Sequence, residues 1–350
     1  MDGAELSRQV KQDGEFYTQV KFSGLDCRNL DFSGGIFNEV GFNDCDFSGA
    51  NLLETTFNKC RFSNAKFDAA NLKETNFVET DLSGAKFIKA DLNATKFIKS
   101  NLKSCNLEQV QADSAVFSEC DCDDSIFTST NIKSTVFNSC SLKKIDFTAV
   151  VLQSVVFNSC LFEANTFKSA RLKQSSFIKA DFTQTDFSQL DLSQCQFIEC
   201  ELAGCNFTAA TLKQTGFMNA NLQSAKFDNA YMEMANLFET DLTHASFEKA
   251  NLSGASLQKS KIITTNMASA NMEKAQLTEA VIKQSIFSAV KMGYADLSHA
   301  VVEDCDFSNA QMDKANMHET LDVSNIWNGS TRQEALGTDP KKLKSEQWGK

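Results

Sequence analysis

The sequence predicts an all-β repeat solenoid. Three observations carry that reading: an unbroken five-residue period, a skewed choice of apolar residues, and a near absence of proline. The 350 residues include 30 Phe but only 3 Tyr, 2 Trp and 1 Pro. Ordinary domains do not show that imbalance, whereas one structural slot repeated many times produces it.

The slot appears when residues 50 to 94 are written in fives: ANLLE TTFNK CRFSN AKFDA ANLKE TNFVE TDLSG AKFIK ADLNA. The middle letter is always Leu or Phe. In that register every fifth residue from Phe22 to Met317 is apolar, sixty centres in all, the smallest being Cys27, Ala112 and Cys122. The residue two before each centre is mostly small, as at Ala50, Thr55, Cys60 and Ala65. Two residues in five therefore face inward, and the other three carry nearly all the charged and amide side chains. A period of five matches neither the 3.6 of an α-helix nor the 2.0 of a flat strand, so the chain must turn a corner every five residues. Proline is missing from the repeats because it would delete a bond between neighbouring levels.

The recurring A-[DN]-L-x-x unit, seen as ANLLE, ANLKE, ADLNA, ANLQS and ANLSG, resembles the pentapeptide-repeat family over residues 20–319. The resemblance implies a right-handed quadrilateral parallel β-helix, four pentads to a coil, hence about fifteen four-sided coils. Residues twenty apart then stack, as in a parallel sheet. One side carries Phe37, Phe57, Phe77 and onward to Phe217, then Leu237, Leu257, Leu277 and Leu297. The opposite side carries Phe47, Phe67, Phe87 and Phe127, onward to Phe247. Facing ladders of this size fill the centre and leave no lumen for a ligand. Met232, Met272, Met292 and Met312 mark a later region where packing is expected to be softer.

Three segments follow: 1–19 as an N-terminal cap, 20–319 as the uninterrupted solenoid, and 320–350 as a C-terminal cap and tail. Raw sheet edges at the two ends need such covers. Ala4, Leu6 and Val10 have near-helical spacing, and Leu321, Val323, Ile326 and Trp327 are placed to plug the final coil. Asp339 and Pro340 read as the start of a short helix.

The formal net charge is -11, from 45 acidic and 34 basic residues. A mixed, mildly acidic surface disfavours direct nucleic-acid binding and an anionic membrane surface. The N-terminus has no apolar core of signal-peptide length, and no stretch approaches a membrane span, so the expected location is cytoplasmic.

All twelve Cys fall on inward positions, ten of them two before a centre, with Cys27 and Cys122 as centres. Buried thiols acting as small apolar groups account for that placement. His244, His299 and His318 take outward positions with no Cys or His neighbour at ligand spacing. A convex rod offers no dry cleft, and phosphate-binding and nucleophile-elbow motifs are missing. No catalytic residue, metal or cofactor is expected.

Some pentapeptide-repeat proteins are DNA mimics that bind DNA gyrase, and the resemblance implies that reading too. A mimic needs long rows of negative charge. Here the second residue after the centre runs Glu39, Lys59, Glu79, Lys99, Glu119 on one side, alternating in sign. Asp121, Asp123 and Asp124 form the densest acidic spot.

The sharper lead is apolar. On that same side the first residue after the centre reads Ile178, Ile198, Met218, Phe238 in successive coils, and the residue before the centre reads Val116, Val136, Val156. Stacked outward apolar groups mark contact surfaces, although for the valines the preference of β-branched residues for extended backbone suffices. The expected function is a non-enzymatic rod that binds a protein partner as scaffold or adaptor, a second copy of the chain being one candidate. The alternatives are a gyrase-binding mimic and a bacterial protein delivered to another cell.

Overall fold

The computed structural model describes residues 1–348, so the last two residues of the 320–350 segment lie outside the described residues. It is a parallel β-solenoid of about fifteen turns. It divides into two compact units, Met1–Ser176 and Phe177–Lys350.

In the first unit, helix α1 (Gly3–Arg8) starts where the Asp2 carboxylate accepts from the Glu5 N–H at 2.9 Å. Leu6 and Val10 are buried, and Ser7 Oγ donates to the Asp31 carbonyl at 2.7 Å. Gly3 sits so close to the first coil that a Cβ would stand 2.0 Å from the Asp26 carbonyl oxygen. The helix thus seats on the open end of that coil. Pairing is parallel with a register of twenty: Tyr17 opposes Phe37, Phe37 opposes Phe57, and Phe57 opposes Phe77. Extended triplets line one side from Ile36–Asn38 to Val156–Asn158, and a second side from Gln111–Asp113 to Arg171–Lys173. The remaining sides meet through single bridges such as Asp31 with Asn51.

Each pentad solves three problems with its own residues. The centre is enclosed, as at Phe57, Phe77 and Leu82. The small residue two before it, when polar, often donates inward to the carbonyl of the preceding coil, as Thr55 Oγ1 does to Phe32 O at 3.0 Å and Thr75 Oγ1 to Leu52 O at 2.7 Å. That satisfies a group whose burial would otherwise be costly. The corner itself is a left-handed residue two after the centre, such as Glu39 (φ 56°) or Lys59 (φ 52°), whose N–H bonds the next coil.

In the second unit Gln196–Ile198 is extended, and a separate run of extended triplets lies at Lys261–Ile263, Val281–Lys283, Val301–Glu303 and Leu321–Val323. Met272, Met292 and Met312 are fully enclosed centres. Pairing continues past residue 319: Asp306 bridges Ile326 and Asn316 bridges Leu336. Leu321, Val323 and Ile326 therefore do not plug the last coil. They build one more level and remain 50%, 41% and 49% exposed on it. Trp327 is the exception, its ring stacked 4.3 Å from that of Phe307. Helix α2 (Pro340–Glu346) follows, capped by the Asp339 carboxylate, which accepts from Lys341 N–H at 2.8 Å.

Candidate functional site

The Ile178, Ile198, Met218 and Phe238 column belongs to the second unit, and its members are brought together by the ladder. Lys179 N–H bonds Ile198 O at 3.0 Å, Glu199 N–H bonds Met218 O at 3.0 Å, and Asn219 N–H bonds Phe238 O at 3.1 Å. All four side chains are half-buried. Lys259 Nζ lies 5.8 Å from the Phe238 ring centroid, a cation over a π face at one end of the stripe. Tyr231 and Met234, 55% and 60% exposed, stand on the adjoining side. Both are outward positions of one pentad, so the same sorting by side that found the stripe could have found them.

Val116, Val136 and Val156 pair directly in register and are half-buried in the extended side of the first unit. β-Branched residues suit that backbone, so their place follows from local structure. Asp121, Asp123 and Asp124 are also locally engaged. Lys103 Nζ stands 3.6 Å from Asp121 and 3.9 Å from Asp123. The Asp123 carboxylate accepts from Ser141 Oγ at 2.6 Å and Lys143 N–H at 2.9 Å, and Asp124 is a left-handed corner residue.

Opposite charges meet between successive coils: Lys59 with Glu79 at 3.8 Å and Lys99 with Glu119 at 3.8 Å in the first unit, Lys179 with Glu199 at 3.5 Å and Lys259 with Glu279 at 4.0 Å in the second. Each pair is exposed and weakly stabilising, and its main effect is to cancel the surface field.

The twelve thiols are free and buried. Cys120, Cys140 and Cys160 stack and donate to the carbonyls of Phe97, Phe117 and Phe137 at 3.3, 3.4 and 3.5 Å. Burial pushes the Cys60 thiol up to about 11 and those of Cys27 and Cys200 to about 12, so these are not nucleophiles at neutral pH.

One expectation fails. His299 and His318 are neighbours, their rings 5.4 Å apart and perpendicular. Nineteen residues separate them on a twenty-residue coil, so His299 stands two after its centre and His318 one after the next. His318 is buried, as is Ser298 in the coil before it, whereas Ile178, Ile198, Met218 and Phe238 in the same column are half-buried. Asp339 N–H donates to His318 Nδ1 at 3.0 Å, and Glu346 lies 3.1 Å from His318 Nε2 and 3.5 Å from His299 Nε2. The His318 hydrogen bond, with the nearby basic groups, holds the Glu346 carboxyl below its usual range.

Among the described residues no helix is long and apolar enough to cross a membrane. The family profile described as a pentapeptide repeat region matches residues 40–117 and 170–247. A second, pentapeptide repeats in eight copies, matches 235–273, 245–288 and 291–320. Comparison with curated proteins gives no match. Among solved structures, the chain resembles HetL, a pentapeptide repeat protein involved in heterocyst differentiation regulation from the cyanobacterium Nostoc sp. strain PCC 7120. The identity is 20% over 83% of this chain and 97% of that one, with a TM-score of 0.20. It also resembles full-length QnrB1, a plasmid-mediated fluoroquinolone resistance protein, at 18% identity over 70% of this chain and 92% of that one, with a TM-score of 0.22. Neither likeness bears on function. The repeat, its register of twenty and the two matching profiles place this chain in the pentapeptide-repeat family.

Proposed function

We propose that the protein is a non-enzymatic scaffold or adaptor that binds a protein partner along the Ile178, Ile198, Met218 and Phe238 stripe. The observation that carries this reading is the stripe itself, four half-buried apolar side chains aligned in successive coils of a column that is polar at most other levels, Val78 and Ile98 excepted. Each still offers apolar area to a partner, and a flat row of such groups suits a protein surface more than a small molecule. A gyrase-binding mimic draws no support from the charge pattern, because the coil-to-coil pairs cancel the field that a duplex would present.

The test compares the wild type with the double variant Ile198→Lys and Phe238→Lys. Both positions are outward, so the variant should fold normally by circular dichroism. It should lose the partner captured by the wild type, or lose self-association in light scattering. Equal capture and equal mass by both proteins would refute the reading. Inhibition of gyrase supercoiling by the wild type would replace it with the mimic.

A further inference from the structure

We propose that His299, His318 and Glu346 form a binding site for a zinc-like divalent transition-metal ion that clips helix α2 to the last coils. The three donors come from separate segments: two successive coils and the end of the helix. All three donor atoms lie within 4.8 Å of one another. Ligands on a tetrahedral ion with bonds of about 2.0–2.1 Å stand roughly 3.3–3.4 Å apart. The contacts of Glu346 with His318 Nε2 (3.1 Å) and His299 Nε2 (3.5 Å) are already of that order. Closing the third edge requires a small rotation of the more exposed His299 ring.

The donor chemistry selects the ion. Two imidazoles and one carboxylate suit zinc with one position left for water, whereas calcium and magnesium want oxygen ligands. The site is also ordered in advance. The His318 side chain is only 2% exposed, while Ile178, Ile198, Met218 and Phe238 in the same column are half-exposed. Enclosed to that degree, the ring has little side-chain entropy left to lose on binding.

Two groups oppose the ion. Lys342 Nζ stands 3.7 Å from Glu346, but that side chain is exposed and free to swing into solvent. The Asp339 N–H bond to His318 Nδ1 assigns the ring proton to Nε2, where it faces Glu346. Zinc on Nε2 needs that proton moved to Nδ1 and the amide contact given up. One neutral hydrogen bond is small beside three metal-ligand bonds, so the ion prevails. The shift also makes the proposal distinctive, because a simple carboxylate-histidine latch has no reason to change tautomer.

The experiment titrates the full-length reduced protein with zinc chloride, by calorimetry and by competition with a chromophoric chelator. The expected result is one equivalent bound with a Kd of roughly 10 µM or tighter. His299→Ala and Glu346→Gln should each weaken it by about ten-fold or more. Both positions are on the surface, and circular dichroism confirms that the variants fold. Long-range 15N spectra should show the His318 proton moving from Nε2 to Nδ1 on zinc addition. The proposal is overturned by no saturable binding at about 100 µM zinc, by binding that both variants leave unchanged, which would place the ion elsewhere, or by an unaltered His318 tautomer.

Discussion

Along one side of the coil the first unit and the later part of the second are built from different residues on the same backbone. The first runs Phe57, Phe77, Phe97, Phe117 and Phe137, with adjacent rings stacked at 5.2, 5.0, 4.8 and 4.5 Å. The second keeps Phe177, Phe197 and Phe217 and then runs Leu237, Leu257, Leu277 and Leu297 at the same place in the repeat. The ladder does not register the change: Val136 N–H bonds Ala115 O at 3.0 Å and Ser256 N–H bonds Ala235 O at 2.9 Å. What differs is the local shape of the pentad. Val136 belongs to an extended triplet, whereas Asn236 begins a turn in which its side chain accepts from the Phe238 N–H at 3.1 Å. Asp and Asn before the centre make that bond at many levels of both units, as at Asp81, Asn101, Asp241 and Asn271. The comparison teaches that Asp or Asn before the centre favours the turned shape of a pentad, while the centre sets only how the interior is filled.

The largest test of this division is a pair of truncations. Phe57 and Leu257 are both fully enclosed, but only Phe57 has rings above and below, at 5.1 and 5.2 Å. Phe57→Ala should cost about 3–5 kcal/mol and Leu257→Ala about 2–5 kcal/mol, with ring stacking adding about 0.5–1.5 kcal/mol to the first. Hydrogen exchange in the flanking coils measures both, since a solenoid opens level by level. An equal or larger cost at Leu257 would show that the stacked rings contribute nothing beyond their size.

The second test exchanges the residue before the centre. Asn236→Val removes one side-chain bond to the backbone and should cost about 1 kcal/mol in chemical denaturation. It should also move the backbone shifts of residues 236–238 toward extended values. If those shifts stay put, the neighbouring coils impose the turn and Asn236 only decorates it.

The smallest effect is electrostatic. Lys59→Glu would place three acids in a row with Glu39 and Glu79, at a cost of no more than about 1 kcal/mol. That cost should vanish in about 1 M salt. A salt-independent loss would mean that the lysine stem, not its charge, covers the coil.

These differences mark where the sequence could be read. The enclosed centres and the small inward residues follow from the period, because every level repeats the same demand. The turn bond was written in the A-[DN]-L unit, but seeing it requires asking where each backbone N–H goes. Even then Asn76 departs from the rule. It sits in an extended triplet between Thr56 and Lys96, its amide donating to the Glu74 carbonyl at 3.4 Å instead. Stacked neighbours override the local preference there. The stripe was readable by sorting residues by side. The histidine cluster was not, because its spacing of nineteen crosses positions in the repeat and its third member depends on how the chain after residue 336 folds back.

The register of twenty has one more consequence. Within either unit, each level bonds to its neighbours through the same donors and acceptors, so no level depends on a unique mate. Copying or excising a block of twenty residues leaves every remaining level with neighbours of the same kind. Gene duplication can therefore lengthen such a protein without inventing a new interior, whereas loss of a single residue turns enclosed groups outward along the rest of the chain.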